Sequence, residues 1–166
     1  VENHCGTCTS CIDVCPTKAI VGPYMLDARK CISYLTIEHK SSIPLEFRKQ
    51  IGNRVYGCDD CQLFCPWNKF GQITKEEDFK VRHGLDDIEL VECFLWTEAE
   101  FIKYMEGSAI LRIGYDQWLR NIAIGLGNAK TSETIVNALK GRLNEASPLV
   151  KEHISWALAQ HNFHMN

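Results

Sequence analysis

The spacing of the cysteines constrains this chain of 166 residues more than any other feature. The first run reads C-x2-C-x2-C-x3-C-P and consists of Cys5, Cys8, Cys11 and Cys15. The second run reads C-x2-C-x3-C-P and consists of Cys58, Cys61 and Cys65. It lacks its first member, because position 55 is Val55, and Cys31 is the thiol that can replace it. Eight sulfurs in this pattern predict two [4Fe–4S] clusters and a protein that carries electrons.

The rule for bacterial two-cluster ferredoxins predicts how these cysteines are shared. There, the last cysteine of each run binds the cluster of the other run. The first predicted ligand set is Cys5, Cys8, Cys11 and Cys65. The second predicted ligand set is Cys58, Cys61, Cys15 and Cys31. The ninth cysteine, Cys93, lies in the apolar stretch Val91–Phe101 and is expected to be a small buried side chain.

Disulfides and zinc are the other uses of such cysteines. Disulfides suit small secreted proteins, but no signal peptide is visible, and a cytoplasmic protein is expected. Zinc binds C-x2-C pairs, but a structural zinc site takes two pairs, whereas the four-cysteine run followed by proline is the iron–sulfur form. No run of 18 apolar residues predicts a membrane span. The formal charge of −3 gives no support for nucleic-acid binding beyond a local patch.

The hydrophobic pattern predicts a mainly α fold in two parts. Residues 1–75 are expected to form a ferredoxin-like domain for two clusters, with short helices, loops and little strand. Residues 76–166 are expected to form HEAT-like helical repeats. A capping box at Thr97 and Glu100 begins one helix. Trp118–Asn128 aligns with Val150–Gln160 at an offset of 32 residues, with another amphipathic helix at Ser132–Leu143 between them.

Three shorter segments of the cluster part also carry predictions. Pro16–Ile20 is expected to begin a short helix after the first cluster loop. The alternating pattern of Cys31–Glu38 predicts a short strand or an extended segment. Ile43–Gly52 is expected to be a helix with Pro44 in its first turn and Gly52 at its end. Because the chain opens four residues before its first predicted ligand and without Met, an upstream portion is expected to be missing.

Four segments together resemble the epoxyqueuosine reductase family. They are HCGTCTSCIDVCPTKAI, CISYLTIEHK, GNRVYGCDDCQLFCPWNKF and GSAILRIGYDQWLRNIAIGLGN. The cluster runs alone are generic, but their combination with the other motifs and a HEAT-like tail is specific. The resemblance extends from His4 to about His161, and the family's eight-cysteine arrangement agrees with the ligand sets above.

The resemblance implies a cobalamin-dependent oxidoreductase with two [4Fe–4S] clusters that acts on tRNA. The family reduces epoxyqueuosine to queuosine at the wobble position, with the clusters relaying electrons to the corrinoid. The implied partners are the anticodon stem-loop of a queuosine-family tRNA and an external electron donor, and a monomer that contacts no membrane is expected. The family's corrinoid domain and acidic proton donor lie upstream of this region. The chain alone is therefore expected to be inactive, and no catalytic residue is assigned.

Polar residues near the predicted ligands are candidate contacts. Ser33 and Asp59 are candidates for the corrinoid, although Asp59 and Asp60 also suit an ordinary polar cluster loop. Trp67 is a candidate for stacking on a base or corrin, with core packing favoured as the alternative. Six basic side chains are candidates for the tRNA backbone or for a solvated surface: Lys40, Arg48, Lys49, Arg54, Arg112 and Arg120.

Three other functions compete with the tRNA enzyme. A generic ferredoxin-type electron-transfer subunit shares the clusters, but a free ferredoxin does not need about 90 further residues. A reductive-dehalogenase-like corrinoid and iron–sulfur protein fits the GCDDCQ and CPWN segments less well. The third is an interaction module in which the clusters only stabilise a helical scaffold.

Overall fold

Short helices, turns and one small hairpin make up the first part of the chain. The computed structural model describes residues 4–162. The elements are α1 (Ser10–Val14), β1 (Ile20–Gly22), β2 (Met25–Leu26), a 3-10 turn (Ala28–Lys30), a π-helical turn (Tyr34–Glu38), α2 (Leu45–Ile51), α3 (Asp60–Leu63) and a second 3-10 turn (Pro66–Phe70). Strands β1 and β2 pair antiparallel. This confirms the expected short helices and loops with little strand.

Two local predictions in this part are wrong. No helix follows Pro16, because Lys18 has a left-handed φ of 51° and the N–H of Ala19 donates to the sulfur of Cys15 at 3.3 Å. The chain turns there into β1. Residues 32–38 of this segment are helical rather than extended, and the N–H of His39 donates to the carbonyl of Tyr34 at 2.9 Å. Packing against the rest of the protein outweighs the local β-propensity of that segment. The predicted helix at Ile43–Gly52 is confirmed as α2.

The second part is helical, as predicted. Its elements are a 3-10 turn (Glu77–Phe79), α4 (Leu90–Leu95), α5 (Glu98–Met105), a 3-10 turn (Ala109–Ile113), α6 (Tyr115–Asn128), α7 (Glu133–Leu143) and α8 (Pro148–Gln160). The predicted capping box is confirmed at the start of α5, because Thr97 Oγ1 accepts from the N–H of Glu100 and Glu100 Oε2 accepts from the N–H of Thr97. Within residues 4–162, no helix is both long enough and apolar enough to cross a bilayer.

Helix α6 lies at the centre of the packing. Every residue from Gln117 to Gly127 is buried, and α6 packs against α2, α4, α5 and α8. The two aligned repeat segments are α6 and α8, and they approach closely because α6 carries Gly127. A Cβ there would lie 2.6 Å from the Trp156 ring and 2.9 Å from Ala157 Cα. The HEAT-like character of these helices stays a prediction.

The two parts share a core. Ile124 of α6 is buried in one cluster with three side chains from the first part, Ile32, Ile43 and Ile51. The helical part thus contacts the segments that carry the cysteines. The proposed division into residues 1–75 and 76–166 marks a change of composition along the chain and stays a prediction.

Candidate iron–sulfur site

Two short helices bring the cysteine runs together. Cys5 and Cys8 precede α1, Cys11 lies within it, and Cys15 directly follows it. In the second run Cys58 precedes α3, Cys61 lies within it, and Cys65 follows it. Helices α1 and α3 pack against each other, so the two runs lie side by side.

A cavity of about 430 Å³ lies between these segments. Six of the eight predicted ligands line it: Cys5, Cys11, Cys15, Cys31, Cys58 and Cys61. Cys8 and Cys65 are not among its lining residues. The structure therefore brings Cys31, which is isolated in the sequence, to the same space as both runs.

The segment that carries Cys31 is fastened to the second run. Ser33 Oγ accepts from the N–H of Cys58 at 3.0 Å and donates to the carbonyl of Cys58 at 3.3 Å. Burial raises the pKa of the Cys61 thiol, and the nearby thiols of Cys31, Cys11 and Cys15 raise it further. Cys61 lines the same cavity as Cys15 and Cys31, which are predicted to complete its ligand set, and as Cys11.

The segment after Cys65 contacts the start of the first run. Trp67 Nε1 donates to the carbonyl of His4 at 3.3 Å, and the two rings lie 5.6 Å apart. This contact agrees with the predicted crossing of Cys65 to the first set. The expectation that Trp67 is a core residue is wrong, because its side chain is 53% exposed and packs at the surface against His4 and Phe70.

Two of the predicted ligands, Cys8 and Cys15, have donor groups that favour the thiolate. Hydrogen bonds from the hydroxyl and N–H of Ser10 lower the pKa of the Cys8 thiol. Burial raises the pKa of Cys15, but hydrogen bonds from Ile20, Ala19 and Thr17 outweigh it and lower the net value. None of the cysteines among residues 4–162 forms a disulfide. In the same range, no three His, Cys, Asp or Glu side chains are close enough to hold one metal ion. Six cysteine side chains around a common space fit iron–sulfur clusters, whose ligands are cysteine thiolates.

The two predicted corrinoid contacts have different surroundings. Ser33 is half-buried and uses its hydroxyl on Cys58. Asp59 is exposed, and its Oδ1 accepts from Gln62 Nε2 at 3.2 Å. The neighbouring Asp60 forms an ion pair with Arg54 at 2.6 Å. Neither Ser33 nor Asp59 is shown to contact a cofactor, and both roles stay predictions.

Two of the six predicted basic contacts are wrong. Arg48 and Arg120 are 1% and 0% exposed, and both bind groups inside the protein. Arg48 pairs with Glu152 at 2.5 Å, and Arg120 donates to backbone carbonyls. Charge alone does not say which face of a helix carries an arginine. Lys40 and Lys49 are exposed, Arg112 pairs with Glu38 at 2.9 Å, and Arg54 is paired as described above.

The expectation for Cys93 is confirmed. Its side chain is 2% exposed, and burial raises its pKa to about 11, with Glu92 adding to the rise. The sequence reasoning missed Asn121, whose amide contacts the cysteine segments from α6. The sequence does carry a signal for this role, because Arg120 and Asn121 interrupt an otherwise apolar stretch of that helix.

Related protein sequences also have the features of an iron–sulfur protein. Residues 4–68 match the family of the 4Fe-4S double cluster binding domain. An epoxyqueuosine reductase of Xanthomonas campestris is 61% identical over 158 residues, which are 95% of this chain and 44% of that protein. That of Pseudomonas aeruginosa is 59% identical over 160 residues, 96% of this chain and 44% of that protein.

Solved structures agree in fold. Epoxyqueuosine reductase from Bacillus subtilis matches with a TM-score of 0.88 at 31% identity, over 97% of this chain and 43% of that one. An epoxyqueuosine reductase with a tRNA-Tyr epoxyqueuosine-modified stem loop matches with a TM-score of 0.74 at 26% identity, over 98% of this chain and 52% of that one. The chain thus spans about 44% of the length of the curated relatives it matches. It contains a 4Fe-4S double cluster binding domain, and over the part of those proteins that it spans it belongs to the epoxyqueuosine reductase family.

Proposed function

We propose that this chain is the electron-carrying part of an epoxyqueuosine reductase. The enzyme reduces epoxyqueuosine to queuosine at the tRNA wobble position with cobalamin and two [4Fe–4S] clusters. The observation that carries the proposal is the convergence of Cys31 and both cysteine runs on one cavity, in a fold shared with epoxyqueuosine reductases.

Each cluster is assigned four thiolates. The first set is Cys5, Cys8, Cys11 and Cys65, and the second is Cys58, Cys61, Cys15 and Cys31. The contact of Trp67 with His4 supports the crossing of Cys65, and the contact of Ser33 with Cys58 supports the recruitment of Cys31. When bound, the clusters accept and release single electrons.

The protein around the sulfurs supplies hydrogen bonds and apolar surface. The N–H of Ala19 and the hydroxyl of Ser10 contact the sulfurs of Cys15 and Cys8. Apolar side chains also line the cavity: Ile20, Tyr24, Met25, Leu26 and Ile32. Hydrogen bonds to sulfur are one means by which a protein adjusts the potential of such clusters.

Cobalamin and tRNA are assigned to this chain from the family. Ser33 and Asp59 are the proposed corrinoid contacts, and Asp59 is the better placed because it is exposed. For the tRNA backbone, the exposed Lys40, Lys49 and Arg112 remain candidates. We also propose that the isolated chain takes up clusters but does not reduce epoxyqueuosine. Turnover of epoxyqueuosine tRNA by these 166 residues alone contradicts this.

Replacement of Cys31 tests the cluster assignment. Wild-type protein reconstituted without oxygen should bind about eight iron atoms, and reduction should give the EPR signal of two interacting [4Fe–4S]+ centres. Cys31→Ala should bind about four and show one isolated centre, because only the second set loses a ligand. The matched control, Cys93→Ala, should keep both clusters because Cys93 is buried away from the cavity. Tightly bound zinc in the wild type, or two intact clusters in Cys31→Ala, rejects the assignment.

A further inference from the structure

Polar side chains of α6 contact the segment that carries Cys31. Gln117, Arg120 and Asn121 are buried in the middle of the protein. Burying such groups is unfavourable unless their polar atoms are paired. Gln117 Nε2 donates to the carbonyl of His39 at 3.1 Å. The partners of all three residues include backbone carbonyls of residues 35–39, directly after the Cys31 loop.

Asn121 joins the two segments that carry the second ligand set. Its Nδ2 donates to the carbonyl of Thr36 and to that of Val55, both at 2.8 Å. Thr36 follows Cys31, and Val55 precedes Cys58. A side-chain amide has two N–H donors, so one serves each segment. Position 55 is also where a complete second run would have its own cysteine. Asn121 therefore binds the backbone at the position whose missing cysteine Cys31 replaces.

Arg120 holds the same segment and orients Asn121. Its Nη1 donates to the carbonyls of His39 at 2.6 Å and Ser41 at 2.9 Å, and its Nη2 donates to that of Leu35 at 3.0 Å. Nε and Nη2 also donate to Asn121 Oδ1 at 3.0 and 2.9 Å. These bonds use all five donors of a guanidinium. Because Arg120 occupies Oδ1, the amide N–H groups of Asn121 must face the cysteine segments.

The hydrogen bonds continue to the cysteines themselves. Thr36 Oγ1 donates to the carbonyl of Ile32 at 2.7 Å and accepts from the N–H of Gly57 at 3.0 Å. The N–H of Leu35 donates to the carbonyl of Cys31 at 2.9 Å. From α6, the connection therefore reaches both Cys31 and the residue before Cys58.

We propose that Asn121 and Arg120 are positioning residues for Cys31, which hold its thiolate in the second ligand set. The inference rests on the proposed two-cluster function and extends it, because it makes one cluster depend on a helix of the C-terminal part. The cluster of Cys5, Cys8, Cys11 and Cys65 does not share this dependence.

Asn121→Ala tests the inference in the full chain. Iron should fall from about eight toward about four atoms per chain, with the EPR signal of a single isolated [4Fe–4S]+ centre. Adding Cys58→Ala, in the same set, should cause no further loss. Adding Cys8→Ala, in the other set, should remove nearly all remaining iron. If Asn121 served general stability alone, its loss would lower the occupancy of both clusters in proportion to the folded fraction, which circular dichroism measures.

Asn128→Ala is the matched control. Its Nδ2 also donates to two backbone carbonyls from α6, those of Arg48 at 2.7 Å and Gly52 at 3.0 Å, but it fastens α2. This variant should keep about eight iron atoms. If Asn121→Ala does not fold, Thr36→Val removes the Oγ1 hydrogen bonds that join Ile32 to Gly57 between the same two segments, and it should give the same selective loss.

The outcomes separate the two proposals. The positioning role is overturned if folded Asn121→Ala still binds about eight iron atoms, or if adding Cys8→Ala and adding Cys58→Ala cause equal further loss of iron. Either result leaves the proposed two-cluster function standing. Failure of the wild-type chain to take up any iron–sulfur cluster overturns the proposed function itself.

Discussion

His153 shows how a single buried residue is fixed in one protonation state. The residue lies on α8 with no solvent exposure. Its Nε2 accepts from the N–H of Ile43 at 3.2 Å, and its Nδ1 donates to the carbonyl of Leu149 at 2.8 Å. These partners require the neutral ring. Burial lowers its pKa to about 4, and the charges of Arg48 and Arg120 act in the same direction, against Glu152 and the Leu149 carbonyl.

We expect this histidine to make stability depend on pH. Its pKa is lower in the folded protein than in the unfolded chain, so its contribution is full above about pH 6.5 and is lost as pH falls toward about 4. Between about pH 7 and pH 5 the free energy of unfolding should fall by about 2 kcal/mol. Urea unfolding of wild type and His153→Gln at both values measures it.

The variant should lose most of this slope, because glutamine does not titrate. The pKa of Glu152 is also lowered: burial raises it, but hydrogen bonds from Ser42 and Arg48 outweigh that effect. A lowered pKa moves the titration of Glu152 further away from this pH range. Equal slopes for the two proteins would show that His153 is protonated when folded or is not buried.

At the scale of elements, α6 and α8 depend on small residues where their backbones approach. Gly127 has no room for a side chain, since a Cβ would meet the Trp156 ring at 2.6 Å and Ala157 Cα at 2.9 Å. Gly141 on α7 differs, because a Cβ there meets nothing within 4 Å. The packing of the helices therefore requires glycine at position 127 but not at position 141.

Alanine at these two positions should have opposite effects. Gly127→Ala should destabilise the protein by about 1–3 kcal/mol, because it forces the helices apart. Gly141→Ala should stabilise it by about 0.5–1 kcal/mol, because alanine loses less backbone entropy in a helix. Thermal or urea unfolding of both variants provides the measurement. A neutral Gly127→Ala would mean that α6 and α8 are not in close contact.

At the scale of the whole molecule, the apolar core is distributed unevenly. The largest buried cluster lies in α4–α8 and the turns between them. Around the cysteines, many large apolar side chains are exposed instead, among them Tyr24, Met25, Leu63 and Phe64. Few buried side chains hold the cluster loops, so metal binding must contribute to their folding.

Removal of the clusters should therefore unfold the protein unevenly. After oxidation and chelation of iron, amide hydrogen exchange should become fast in residues 5–30 and 58–70. The amides of α6 and α8 should stay protected, because their core needs no metal. Rebinding of iron and sulfide should restore protection in the first segments. Loss of protection in α6 would show that the clusters support the whole chain.

Local sequence patterns were enough to predict the double-cluster domain and most of the helices. Cysteine spacing depends on local chain geometry, so the two runs predicted the double-cluster domain before any contact was known. The capping box at Thr97 and the helix α2 were predicted for the same reason, since caps and turn residues act within a few positions.

The burial of polar residues and the meeting of distant segments depend on tertiary contacts. The burial of Arg48 and Arg120, and the helical form of the segment after Cys31, depend on contacts with α6 and α8 that no local pattern encodes. The same holds for Cys31. The sequence identified it as a spare thiol, but its place beside the second run comes from Ser33 and Asn121, through hydrogen bonds between segments far apart in the chain.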